Sequence, residues 1–125
     1  MNKETKEQIL FNVVTPADKE MIITTTTDTN KDTYKYEISF VDSHGQEQIV
    51  TIPFQHGPIK EHGINGISAE VLISILIYRL TIFQQSSFAC EENGLALENL
   101  KAALEALNSR TRNRIARNVE GLNKQ

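Results

Sequence analysis

The feature that most constrains this chain is an apolar segment, residues 71–83, in which Arg79 is the one charged residue. At helical spacing its apolar side chains fall on every side of the cylinder, and such a helix must be buried on nearly every side. One small sheet and one partner helix in a chain of 125 residues can hardly cover it. The segment is also too short to cross a bilayer, which needs about 20 residues. We therefore expect the chain to self-associate.

The residues around this segment predict the first helix of a hairpin. Ser68, with Glu70 close behind it, can cap a helix that runs to about Gln84. Residues 86–87 are both serine and interrupt the apolar pattern. Because the predicted loop is short, the next helix should return antiparallel to the first.

The second helix is predicted to begin with Glu91 and Glu92, since the helix dipole favours acidic side chains in the first turn. Leucines then recur at steps of three, four and three and form a seam like that of a coiled coil. These are Leu97, Leu100, Leu104 and Leu107. The helix could continue to about Val119 before Gly121 stops it.

The first half of the chain has the two-residue period of β-strands. Residues 34–40 alternate between apolar and polar side chains, which indicates one dry face and one solvated face. Residues 10–14, 21–27 and 49–54 are further strand candidates, and Pro53 suits an edge or a strand end. The turns between these strands are short, so the predicted sheet is an antiparallel meander.

Residues 54–68 are rich in turn-forming glycine, asparagine and proline, so we expect an ordered loop there and not a strand. The chain as a whole is predicted to be a single α+β domain, residues 1–125. Its parts are a β-rich region at residues 1–54, a Gly-rich loop at 55–67 and a helical hairpin at 68–121. An N-terminal antiparallel β-meander is thus followed by a C-terminal antiparallel helical hairpin.

Charge is divided unevenly along the chain, whose net value is −3 at pH 7. Residues 1–107 hold eight basic and fifteen acidic groups, whereas residues 108–125 hold five basic groups and one acidic group. A cationic end on an acidic body suits a compact anionic ligand better than long nucleic acid, whose binders usually carry a basic face across the domain. The charged start lacks the apolar run of a secretory signal, so we expect a soluble, cytoplasmic protein without a membrane partner.

Four of the five arginines lie within eight residues near the C-terminus. Arg110, Arg114 and Arg117 fall in one stripe of a helix, while Arg112 points elsewhere. Guanidinium groups suit phosphate because they give paired, charge-assisted hydrogen bonds in a fixed plane. The alternative is a solvated helix end whose cations complement the dipole, and spacing alone favours that alternative.

An amide and two aromatic residues lie near the predicted turn of the hairpin. Asn93 shares the face of the leucine seam, where it can fix the register between helices or contact a ligand. Phe83 and Phe88 flank the turn and could stack a nucleobase, since every base presents a flat π-face. Two core aromatics that close the hairpin are the simpler interpretation of the sequence alone.

Other reactive residues give no catalytic pattern. His56 and His62 do not match a common zinc spacing, so we predict no metal site. Cys90, the one cysteine, cannot form an intramolecular disulfide and has no recognisable histidine partner, and the chain has no phosphate-binding glycine loop or serine elbow. Lys60 beside Glu61 fits a loop ion pair or an anion contact equally well. We therefore predict a binding protein that is not an enzyme and needs no cofactor.

Several motifs in order then carry a family resemblance. They are FQHGPIKEHGINGI at residues 54–67, FAC-x-x-N-x-LAL at 88–97, LN-x-RTR-x-R at 107–114 and VEG at 119–121. In these motifs the chain resembles the phage Thoeris anti-defence sponge family, which is related to the helical-hairpin sponges that counter CBASS signalling. The resemblance covers roughly residues 54–121, and the β-rich N-terminus is what the Thoeris branch leads us to expect.

The resemblance implies a phage protein that binds and sequesters, without degrading it, the cyclic or glycocyclic ADP-ribose isomer of Thoeris immunity in the host cytoplasm. Some members also hold cyclic di- or trinucleotides at a separate site. Assembly as a dimer is implied, with a hexamer built as a trimer of dimers. By the same resemblance Phe83 stacks the adenine, Asn93 contacts the ligand, and Arg110 and Arg114 clamp the phosphates. Further candidate ligand contacts are Phe88, Arg117 and Lys60.

Two other function classes compete with this hypothesis. A small nucleic-acid-binding regulator would use the arginine-rich helix and would lose affinity steeply with salt. A purely structural oligomerisation module would bind no small molecule at all. The acidic body of the chain counts against the first alternative.

Overall fold

The N-terminal half of the chain forms a four-stranded antiparallel sheet. In this computed structural model, which describes residues 4–9, 21–30 and 32–117, the strands lie side by side in chain order. The strands are β1 (Thr5–Ile9), β2 (Met21–Thr27), β3 (Thr33–Val41) and β4 (Glu47–Pro53). Each pairs antiparallel with the next, so the predicted meander is confirmed.

Three of the predicted strands match β2, β3 and β4, and Pro53 ends an edge strand as expected. The strand β1 was not predicted, because its sequence TKEQI is mostly polar and shows no apolar alternation. Polar and charged side chains of this kind are typical of an edge strand. The predicted strand at residues 10–14 lies outside the described residues.

The register of the sheet explains the alternation in β3. Ile38 lies opposite Ile23 of β2 and Val50 of β4, so these three apolar residues share one face. Lys35 and Glu37 of β3 fall on the other face. The sheet has two buried residues among those described, Thr25 and Thr26.

Two aspartates close the two described turns of the sheet in the same way. Asp28 Oδ1 accepts hydrogen bonds from the backbone N–H groups of Asn30 (2.9 Å) and Asp32 (3.0 Å). Asp42 Oδ1 accepts from the backbone N–H groups of His44 (2.8 Å) and Gln46 (3.0 Å). Aspartate is favoured in turns because its short side chain can satisfy nearby backbone donors.

The Gly-rich segment contains one short helix that the sequence analysis did not predict, α1 (Ile59–His62). The carbonyl of Pro58 accepts from the backbone N–H groups of Glu61 (3.1 Å) and His62 (2.9 Å), which is enough to form a single turn. Gly63 then ends the helix with φ of 69°, a conformation that glycine adopts without steric cost. The segment was predicted to be an ordered loop and not a strand, and this single helical turn within it was not anticipated.

The C-terminal half forms the predicted pair of helices, α2 (Ala69–Gln84) and α3 (Glu91–Ala116). The Ser68 hydroxyl accepts from the backbone N–H of Val71 at 3.2 Å, so the predicted N-cap is confirmed. The prediction that α3 could continue to about Val119 falls on residues outside the described part of the chain. Arg117 leaves the helical region at ψ of 3°, and the helix ends one residue before it.

The chain divides into two compact units. One, the sheet unit, contains the four strands, His56 and Ile64–Gly66. The other, the helical unit, contains Gly57–Gly63 and the two long helices. None of the described side chains of α2 and α3 is buried, although α2 is strongly apolar. The single-domain prediction stays a prediction.

Candidate functional site

Two aromatic rings and an amide meet where α2 passes into α3, at what we call the closed end of the hairpin. The rings of Phe83 and Phe88 lie 6.4 Å apart between centroids and meet edge to face. The Asn93 Nδ2 group donates to the carbonyl of Phe88 at 3.4 Å. Phe83 and Asn93 are half-buried, while Phe88 is 72% exposed. The structure thus brings together the three residues predicted near the turn.

Gln84 fixes the loop at the closed end, a role that the sequence analysis did not anticipate. Its Oε1 atom accepts from the backbone N–H of Cys90, and its Nε2 atom donates to the carbonyl of Cys90, both at 2.9 Å. This amide takes the place of a side-chain cap on α3, since the exposed Cys90 thiol makes no capping bond. A polar residue at the last position of an apolar helix was the available sequence signal.

The predicted arginines lie near the other end of the hairpin, the open end. Arg110 is exposed and Arg114 is half-buried, and Arg117 forms the exposed C-cap of α3. Arg112 points elsewhere as predicted, because its Nη2 atom donates to Glu105 Oε1 at 2.7 Å. This arginine is therefore engaged within its own helix, whereas Arg110 and Arg114 belong to a different stripe.

A hydrogen bond joins the two helices at the open end. The Thr111 hydroxyl donates to Glu70 Oε2 at 2.8 Å, in a partly buried position. Thr111 directly follows Arg110 and lies one turn before Arg114, so the bond fixes this stretch of α3 against the start of α2. Neither Glu70 nor Thr111 was predicted to contribute to a site.

The predicted site residues therefore form two groups, one at each end of the hairpin. Arg110 follows Asn93 by 17 residues of the same helix. At a rise of 1.5 Å per residue, about 25 Å of helix separates them. One copy of the chain does not place the aromatic group and the arginine group around one small ligand.

The histidine predicted to lie in the Gly-rich loop, His56, belongs to the sheet unit and is tightly held. Its ring stacks on Tyr34 with centroids 3.8 Å apart, and its Nε2 atom lies 2.7 Å from Asp28 Oδ2. The Asn65 side chain accepts from the backbone N–H of His56 and donates to its carbonyl, both at 2.8 Å. The side-chain hydrogen bond to His56 and the backbone N–H of Asp32 hold the pKa of Asp28 below its ordinary value.

Among the described residues, Asp28, Asp32 and His56 are the group that could hold a metal ion, since their ligand atoms lie within 4.8 Å of one another. In this structure the two closest of these groups, His56 and Asp28, are hydrogen-bonded to each other. His62 is not a member of this group, and its Nε2 atom lies 3.9 Å from Glu61 Oε2. Lys60, the remaining predicted contact, is an exposed residue of α1.

Comparison with known proteins places the chain in a family. The model of the Acb2/Tad1 hairpin domain matches residues 46–112, more than half of the chain. The chain belongs to the Acb2/Tad1 hairpin family. This membership confirms the resemblance seen in the motifs. The matched region of the Acb2/Tad1 hairpin contains Lys60, Phe83, Phe88, Asn93 and Arg110, and it ends before Arg114.

A curated relative, Thoeris anti-defense 1 of Bacillus phage SBSphiJ7, is 49% identical over 74 residues. The alignment covers 59% of this chain and 52% of the relative, so it spans about half of that protein. Within the described part of this Acb2/Tad1 hairpin protein, no helix is both long enough and apolar enough to cross a membrane.

Proposed function

We propose that the chain is a phage anti-defence protein that binds and sequesters the cyclic ADP-ribose isomer of Thoeris immunity and leaves it intact. The family match carries the proposal, because it covers the hairpin and a relative within it is named for Thoeris anti-defence. Cyclic di- and trinucleotides of CBASS are a second ligand class under the same proposal. The protein acts in the host cytoplasm, where such signals are made.

The two groups of residues divide the recognition of such a ligand between them. At the closed end, the face of Phe83 stacks the adenine and the Asn93 amide bonds to a polar edge. At the open end, Arg110 and Arg114 bind the phosphates through paired hydrogen bonds. To outcompete a receptor the site needs roughly nanomolar affinity, about −12 kcal/mol. Contacts of this kind reach that value only where water is largely excluded.

Two copies of the chain bring the groups together. When two hairpins pack antiparallel around a two-fold axis, the closed end of one copy lies beside the open end of the other. Each composite site then takes Phe83 and Asn93 from one copy and Arg110 and Arg114 from its partner. Such a dimer contains two equivalent sites, and a trimer of dimers would contain six.

An exposed apolar stripe on α2 supports this assembly. Its members recur at steps of four, three and four, the spacing of a helix seam that packs against another helix. They are Val71, Ile75, Tyr78 and Ile82, with exposed fractions of 47%, 56%, 71% and 44%. An apolar stripe this exposed favours a second copy as its cover.

The residues of the proposed site bind and do not catalyse. The hairpin from Ala69 to Ala116 contains no histidine and no aspartate. Its cysteine, Cys90, therefore has no imidazole nearby in the sequence to activate the thiol. Arginines, an amide and aromatic rings hold a ligand through charge, hydrogen bonds and stacking, and the ligand stays chemically unchanged.

The first test is retention and recovery of the ligand. Protein is loaded with glycocyclic ADP-ribose, freed of excess ligand and then heated to release what it holds. We expect unmodified messenger from the wild type and none from Arg110→Ala. Arg112→Ala is the matched control, since this neighbouring arginine is paired with Glu105, and it should retain the ligand. Recovery of a hydrolysed product would contradict sequestration, and tighter binding of duplex DNA than of the messenger would favour a nucleic-acid regulator.

The second test asks whether the site is shared between copies. Phe83→Leu and Arg110→Ala chains, each inactive alone, are unfolded together, refolded as an equal mixture and assayed for ligand binding. Half of the dimers are then mixed, and each keeps one intact site of two, so about a quarter of wild-type capacity should return. No recovery in the mixture would mean that both groups act within one chain.

A further inference from the structure

Arg79, the arginine that lies apart from the C-terminal group of four, is at the closed end of the hairpin. Its guanidinium carbon is 4.9 Å from the centre of the Phe83 ring, one helical turn further along α2. The side chain is exposed. In the described part of the chain, the ion pairs join other residues and none of them includes Arg79.

The position is unusual for a charge. Arg79 is the one charged residue of the mostly apolar run at residues 71–83, and it directly follows Tyr78 of the exposed stripe. A cation beside an apolar surface makes it costly to bury that surface against another protein surface, unless an anion pairs with the cation there. Arg112, by contrast, has its own carboxylate partner at 2.7 Å.

We infer that Arg79 is a further ligand-binding residue, which contacts a phosphate of the nucleotide whose base stacks on Phe83; the inference rests on the proposed function. The ring contact holds the guanidinium group over the Phe83 ring before the ligand arrives. The same copy then supplies both the stacking ring and a cation. Arg110 and Arg114 of the second copy meet the anion from the other side.

This arrangement selects a class of ligand. A ligand whose base stacks on Phe83 while a phosphate meets Arg79 must hold that base and phosphate within the reach of one arginine side chain. Cyclic ADP-ribose isomers are of this kind, because ring closure holds their base and phosphates close together. Arg79 therefore favours a cyclic signal over an extended nucleotide.

Calorimetric titration with glycocyclic ADP-ribose tests the assignment on three variants. Arg79→Met keeps an unbranched side chain that can contact Phe83 but removes the charge, and we expect affinity about 10- to 100-fold weaker. Arg79→Lys restores a charge without the planar fork and should recover part of this loss. Lys101→Ala removes an exposed cation from α3 and should bind within twofold of the wild type.

The salt dependence separates a phosphate contact from an effect on the ring. If Arg79 meets a phosphate, the loss in Arg79→Met should shrink as salt is raised, because screening weakens the wild-type contact. A loss of the same size at every salt concentration would overturn the inference, as would wild-type affinity in Arg79→Met while Arg110→Ala has lost the ligand. Wild-type affinity in both variants would instead contradict the proposed function.

Discussion

In the sheet unit, each described turn is closed by an aspartate that accepts two backbone hydrogen bonds, and the loop at His56 is held by the Asn65 amide. In the helical unit, a long apolar helix packs against one partner, and none of the described side chains of either helix is buried. Local polar contacts thus stabilise the first unit within one chain. The sheet also leaves large apolar residues exposed, among them Val41, Ile49 and Val50. The helical unit, however, leaves a regular apolar stripe on α2 that a single copy does not cover, so its stability should depend on protein concentration.

The largest expected effect comes from a charge in the exposed stripe of α2. Ile75→Glu would leave an unpaired carboxylate in the proposed interface, which should weaken association by about 4 kcal/mol, roughly a thousandfold. Light scattering should show the mass of one chain, and ligand binding should be lost with it. Ile64→Glu is the matched control, since this residue is 81% exposed and lies outside the helices. A wild-type mass for Ile75→Glu would contradict the expectation that the helical unit, unlike the sheet unit, depends on a second copy.

Gly66→Ala should destabilise the sheet unit by roughly 2 to 3 kcal/mol, because the added carbon would overpack the site. An added Cβ atom would lie 2.4 Å from the backbone carbon of Phe54. Urea unfolding followed by tyrosine fluorescence in a Tyr78→Phe background reports the sheet, since Tyr34 and Tyr36 both lie in β3. Gly45→Ala, which meets open space at φ of 77°, should cost less, about 1 kcal/mol. Equal losses in the two variants would contradict the close approach of Gly66.

Loss of the N-cap of α2 should have a smaller effect, confined to the helical unit. Ser68→Ala removes the hydroxyl that accepts from Val71, at a cost of about 1 kcal/mol. The loss of stability is measured by following the helical circular dichroism signal during urea unfolding at a fixed protein concentration. Ser74→Ala, an exposed change inside the same helix, should instead stabilise by a few tenths of a kcal/mol. A Ser68→Ala variant as stable as the wild type would mean that the cap contributes nothing.

The smallest expected effect is a pH dependence of the sheet unit. The pKa values of Asp28 and Asp42 are lowered from 3.8, chiefly by the His56 side chain and by the backbone N–H of Gln46 respectively. Each ionised carboxylate therefore stabilises the folded state above pH 3.8, and this contribution is lost as the pH falls through the lowered pKa. Asp28→Asn with Asp42→Asn should flatten unfolding free energy against pH in this range. An unchanged slope of the unfolding free energy against pH would mean that ionisation of these two aspartates is not linked to folding.

Features set by local chemistry could be predicted from the sequence. The alternation in β3, the Ser68 cap and the acidic first turn of α3 each depend on a few neighbouring residues, and the structure has them. The strand β1 and the helix α1 could not be predicted, because the first has no apolar period and the second is a single turn that follows Pro58.

The candidate site shows the same limit at a larger scale. Spacing predicted that Arg110 and Arg114 share a stripe and that Phe83 and Asn93 lie near the turn. It did not show which residues meet around one ligand, because helical periodicity gives the direction of a side chain but not its neighbours in another copy. Gln84 and Glu70 were missed because helical periodicity does not show which side chains meet outside their own helix. Gln84 bonds to Cys90 across the turn, and Glu70 bonds to Thr111 of the other helix.

The 17-residue interval from Asn93 to Arg110 on α3 fixes the distance between the two groups of predicted site residues. Each added or deleted residue would shift the arginine by 1.5 Å along the axis and swing it by about 100°. Substitutions on the solvated side of this stretch keep that distance, whereas a single insertion would displace Arg110 in every composite site of the proposed assembly. Relatives that share this arrangement should therefore vary freely in the amino-acid composition of the middle of α3. The number of residues in that stretch should hardly vary at all.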